Sequence, residues 1–89
     1  MVTFSISSRR RKLNRNNYVL VHVPEHPKSF EDGWYYEHRV IIEQYLNRPL
    51  KEWETIHHIN GDKTDNSLKN LFVCSANQHY KAHLPLTNN

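Results

Sequence analysis

Two histidines stand side by side in a stretch that reads as a short strand, Thr55-Ile56-His57-His58-Ile59. Successive side chains of a strand leave opposite faces of the sheet. Ile56 and His58 therefore share one face, and Thr55, His57 and Ile59 the other. The two rings cannot easily share one ion, so two different jobs are expected. A second pair, His79 and His83, is spaced by four residues. On a helix that spacing brings both rings to one face, close enough to grip a single ion. A helix is expected there. Ser75 is a good N-cap with Gln78 three residues on, the capping-box pattern. Ala76, Gln78, Lys81 and Ala82 favour helix, and Pro85 marks its end. Leu71-Phe72-Val73-Cys74 reads as an antiparallel partner for the first strand. A long loop over residues 60–70, opened by the turn signal Asn60-Gly61, joins the two. The expected unit is strand, long loop, strand, helix.

These residue types suit one kind of chemistry. His57, His79 and His83 could hold one divalent ion: a tight zinc or nickel site, or a weaker site of the magnesium or manganese kind. Three protein ligands leave a fourth position for water or a phosphate oxygen, which is the catalytic rather than the closed structural pattern. His58 would stay free as a general base, since an imidazole titrates near neutral pH. The ion would polarise a scissile phosphate and stabilise the departing 3′ oxygen. Asn70, at the end of the long loop, is placed to tie that loop through its side-chain amide and so fix the backbone carrying His58.

The ordered set His57-His58-Ile59-Asn60-Gly61-Asp62-Lys63, Asp65-Asn66, Asn70-Leu71, His79 and His83 resembles the HNH (ββα-metal) endonuclease motif. It is similar to short phage HNH proteins and to the colicin-type DNases. Tyr35-Tyr36-Glu37-His38-Arg39 and Leu46-Asn47-Arg48-Pro49-Leu50 resemble the lead-in of many phage HNH proteins, so the likeness spans roughly residues 18–84. The resemblance implies His57 and His79 as metal ligands, His58 as general base and Asn70 as loop organiser. His83 matches the extra ligand of the colicin-like subset. DNA is the implied substrate, with 5′-phosphate and 3′-hydroxyl ends. Many phage relatives carry paired Cys-x-x-Cys zinc knuckles, but this chain has only Cys74. That cysteine reads as a small core residue rather than a nucleophile. An EF-hand reading of residues 60–66 fails, because Gly61 is misplaced and the closing acid is lacking. Asp62 and Asp65 read as turn residues with local hydrogen bonds.

The rest of the chain reads as scaffold. Tyr18-Val19-Leu20-Val21-His22-Val23 forms a strand ending at Pro24. Asp32-Gly33 turns the chain, and Trp34-Tyr35-Tyr36 pairs back before a helix over 37–47, whose Val40, Ile41, Ile42, Tyr45 and Leu46 give helical contacts. Leu50 and Trp53 are expected to cap the core. His22, His26 and His38 read as surface or structural hydrogen-bonding residues. The net charge of +3 is unevenly spread. Arg9, Arg10, Arg11 and Lys12 open the chain with no acid before Glu25, and read as phosphate contacts on a basic, flexible arm. Arg39 is a further candidate, as a bidentate phosphate binder.

The fold expected is α+β. A basic arm (1–17) precedes a strand-pair and helix scaffold (18–54), the HNH unit (55–84) and a short tail (85–89). No apolar run is long enough for a membrane span. There is no secretory signal core, and one cysteine excludes an internal disulfide, so the cytoplasm is expected, a host's if the chain is phage-encoded. So small a surface implies a homodimer or protein partner for stringent specificity. A non-catalytic DNA-binding module of the same fold, and an RNA-directed nuclease, are the alternatives.

Overall fold

A computed structural model describes residues 6–75 of the chain. The first strand, β1 (Arg11–Leu13), pairs antiparallel with β2 (Val19–His22), Arg11 opposite Val21 and Leu13 opposite Val19. Asn14 builds the turn between them: its Oδ1 accepts the backbone N–H groups of Asn16 at 2.9 Å and Tyr18 at 3.0 Å. Asn17 closes the turn in the left-handed region at φ 67°, which asparagine tolerates better than most residues. Part of the opening basic segment is thus a strand, and the expected strand pair is a three-stranded sheet. β3 (Trp34–Tyr36) completes it on the far side of β2, in the order β1-β2-β3.

The turn into β3 needs Gly33. Its φ is 86°, and a Cβ there would lie 2.9 Å from His22 Nε2. α1 (Glu37–Leu46) follows β3 with no loop. Its cap, Tyr36, makes no side-chain capping bond, and the acid in the first turn is Glu37. A carboxylate there meets the positive end of the helix dipole. Asn47 ends the helix in the left-handed conformation at φ 58°, two residues before Pro49.

The second sheet is a hairpin of β4 (Glu54–His58) and β5 (Leu71–Ser75), with Ile56 opposite Val73 and His58 opposite Leu71. α1 joins the two sheets because it belongs to both apolar clusters. Val40 packs with Val21, Val23 and Tyr35. Ile42 packs with Leu50 and Leu71, flanked by Ile56 and Val73. Each such aliphatic side chain contributes about 1.5–3 kcal/mol when fully buried. Leu50 lies in this core as expected. Trp53 does not: it is 61 % exposed, with Lys51 Nζ 5.5 Å from its ring centroid.

Glu43 ties the loops to the helix. It is buried, its Oε1 lies 2.7 Å from His26 Nε2, and its Oε2 accepts the Leu50 N–H at 2.9 Å. His26 in turn stacks on Tyr35 at 4.5 Å. The architecture is α+β, a small domain of two sheets and, among the described residues, one α-helix. The helix expected after Ser75 lies outside the described residues, and Ser75, its expected N-cap, ends β5.

Candidate active site

The register of β4 separates the adjacent histidines as strand alternation requires. His58 shares its face with Ile56, Val73 and Leu71 and is buried at 7 % exposure. His57 shares the opposite face with Thr55, Phe72 and Cys74 and is half-buried. Cys74 is buried, with its Sγ 3.6 Å from Thr55 Oγ1. His79 and His83 lie outside the described residues. Among those described, no group of three or more His, Cys, Asp or Glu stands together as a metal site.

The long loop between the strands is held by side-chain amides. Asn70 Oδ1 accepts the Asn60 N–H at 2.9 Å. Its Nδ2 donates to Asn60 Oδ1 at 2.9 Å and to the Asp65 carbonyl at 2.8 Å. Its own carbonyl accepts the N–H of Ile59, next to His58, at 2.9 Å. Asp62 and Asp65 make the expected local turns: Asp62 Oδ1 accepts from Thr64 Oγ1 and Asp65 Oδ1 from Ser67 Oγ, each at 2.7 Å. These hydroxyls hold both carboxyls below the usual carboxylate range.

His58 faces the first sheet and the start of α1. Its Nε2 lies 2.7 Å from Asn66 Oδ1. Asn66 Nδ2 donates to Glu37 Oε1 at 2.9 Å, and Glu37 Oε2 pairs with Arg11 Nε on β1. His38, the next residue of α1, meets the His58 ring edge to face at 5.1 Å and stacks on Tyr18 at 5.5 Å. Burial pushes the His38 pKa down to about 3, helped by His58 and Arg39. Lys63 Nζ lies 4.7 Å over the Tyr18 ring, so the loop closes onto the first hairpin. Glu37 and Tyr18 escaped the reading of the sequence as site residues, Asn66 stood in the quoted motif without a role, and His38 read first as structural, with contact to phosphate as its alternative. Asn66 looks like turn chemistry beside Asp65, and only the packing of α1 against β4 brings Glu37 and His38 to it. The signal for Glu37 and His38 was the Glu37-His38-Arg39 triplet in the lead-in.

The basic residues are divided. Arg9 forks onto Glu25 and also donates to the His22 carbonyl at 3.2 Å. Arg11 is taken up by Glu37. The Arg10 guanidinium and Lys12 Nζ sit 5.9 Å and 4.4 Å from the Trp34 ring centroid. Arg39 is half-buried beside Tyr35, whose pKa burial raises against the Arg39 charge.

The site is thus a hairpin with split histidines, an amide-tied loop and a preceding helix that packs against one of them. The family model of HNH endonucleases matches residues 35–81 of the 89, more than half of the chain, and the chain belongs to that family. No curated protein and no solved structure gives a match. The family is one of nucleases that act on nucleic acids and typically use a divalent metal ion. No helix among the described residues is long and apolar enough to cross a membrane.

Proposed function

We propose that this chain is a metal-dependent endonuclease that hydrolyses DNA phosphodiester bonds, with His58 as general base and the metal on His57, His79 and His83. The observation that carries this reading is the split of His57 and His58 onto opposite faces of one strand. It gives one ring to a ligand set and leaves the other for proton transfer. The donor set fits a divalent ion in kind, since three neutral imidazoles leave one position open. When bound, the ion supplies Lewis-acid polarisation of the phosphate and of the departing 3′ oxygen. His58 removes a proton from the attacking water. Asn70 keeps the backbone next to His58 in place through the loop bonds described above. Arg10 and Lys12 beside Trp34 offer positive charge to the DNA backbone, with Arg9, Arg11 and Arg39 as further candidates. Residues 55–84 carry the chemistry on the scaffold of 18–54, and a second copy or a protein partner supplies any stringent target choice.

A second reading, a DNA-binding module without catalysis, draws on the burial of His58, because a general base must meet water. Plasmid nicking separates the two. Metal-stripped protein is given magnesium, manganese, nickel or zinc in turn, with His58→Ala beside it. The nuclease reading expects metal-dependent conversion of supercoiled plasmid, reduced about 10²–10⁴-fold in the variant. Salt-sensitive binding with no conversion in any metal would favour the second reading, and cleavage of RNA alone would point to an RNA-directed nuclease.

A further inference from the structure

A continuous hydrogen-bonded line runs from the edge of the first sheet to His58. It passes from Arg11 through Glu37 and Asn66 to the imidazole. Glu37, Asn66 and His58 are 7 %, 9 % and 7 % exposed, so water does not compete freely for these bonds. The direction of every bond is forced. A carboxylate paired with arginine accepts and cannot donate, so Asn66 must turn its NH2 group toward Glu37. The other end of that amide is a carbonyl oxygen, which also only accepts. The His58 Nε2 beside it must therefore carry the proton. A neutral imidazole with Nε2–H has its lone pair on Nδ1, and His58 Nδ1 makes no hydrogen bond among the described residues.

We propose that Glu37 and Asn66 are positioning residues that lock His58 in the Nε2–H tautomer, so that Nδ1 is the atom that takes the proton of the attacking water. This rests on the reading of His58 as general base and deepens it. In the step, one O–H bond of water breaks and its proton forms an N–H bond at Nδ1. The hydroxide oxygen bonds to phosphorus, and the P–O3′ bond breaks with its electron pair leaving on oxygen. That oxygen takes a proton from solvent, and the imidazolium returns one to solvent. While charged, the ring donates from Nε2 to Asn66 as before, so no group has to turn during the step. Preorganisation of this kind avoids reorganisation at the moment of reaction.

The test uses the full chain, labelled with 15N at histidine and loaded with magnesium or zinc. A long-range proton–nitrogen spectrum at a pH where the ring is neutral reads the tautomer directly, with His58→Ala giving the assignment. The expected spectrum shows the proton on Nε2 and a bare Nδ1, and this measurement needs no variant to fold. In Glu37→Gln the residue at 37 can present either end of its amide. Asn66 is then free to turn over, and both tautomers of His58 appear. Single-turnover nicking at saturating DNA, where any change in binding drops out, falls about ten-fold in that variant, a partial loss of the base's contribution. A bare Nε2 in the wild type overturns the lock even where His58 remains essential. Mixed tautomers with an unchanged rate in Glu37→Gln overturn its bearing on catalysis. Wild-type nicking by His58→Ala sinks the general-base reading itself, and the role of Nδ1 with it.

Discussion

His38 is held in this site at a cost in free energy. It is 6 % exposed, and its Nδ1 has no hydrogen-bond partner among the described residues. A buried polar atom left so costs about 1–3 kcal/mol. The folded ring stays neutral down to about pH 3, whereas its ordinary value is 6.5. As pH falls below the ordinary value, the unfolded chain binds a proton there that the folded chain refuses. Stability is therefore fully present above that value and drains away as pH falls toward the folded one, at up to about 1.4 kcal/mol per pH unit. His38→Phe keeps a ring against Tyr18 and removes the proton site. We expect urea midpoints of the variant to fall less than those of the wild type between pH 7 and pH 5. Parallel curves would contradict this assignment. The lowered carboxyls act in a more acidic window: Glu54, held down to about 2 by its hydrogen bond to Arg48, loses its contribution only below the ordinary 4.5. The sequence placed His38 among ordinary structural histidines. Nothing local to it reveals that His58, twenty positions on, will close over its ring.

At the scale of elements, legibility followed the source of each element's order. α1 and the β4–β5 hairpin were readable, because the apolar periodicity around Val40 and Ile42 and the β-formers around Ile56 and Phe72 carry their own signal. β1 was not readable. Arg11-Lys12-Leu13 is too short and too polar to show alternation, and the strand exists because β2 offers it an open ladder. The tie between α1 and its loops was equally hidden, since Glu43 in a helix reads as a solvated charge. In the fold it is 2 % exposed and holds both His26 and the Leu50 N–H. Glu43→Ala takes the acceptor from the buried Leu50 N–H and removes the contact to His26 Nε2. We expect a loss of about 1–3 kcal/mol in urea unfolding, the cost of leaving a buried donor such as the Leu50 N–H without its acceptor. A loss under about one kcal/mol, the range of an exposed pair, would show that the loops hold themselves.

For the molecule as a whole, the charge map differs from what the basic opening suggests. Of the four residues from Arg9 to Lys12, Arg9 and Arg11 are matched by Glu25 and Glu37, and Arg10 and Lys12 lie against Trp34. Removing Arg10 and Lys12 together as glutamines should lower the slope of log affinity for DNA against log salt by about 2, one for each phosphate that is no longer neutralised. An unchanged slope would place the DNA elsewhere on the surface. The sequence showed the excess of charge but not its pairing, which depends on partners up to 26 positions away. The Arg11–Glu37 link has a consequence for portability. The stretch shared with other HNH endonucleases begins at residue 35, so it includes Glu37, Asn66 and His58 but not Arg11. Grafted into another protein, that cassette would bring its reacting ring and both tethers, yet leave behind the counter-charge that anchors them. Each host would have to furnish a cation of its own, and the N-terminal hairpin is how this chain does so.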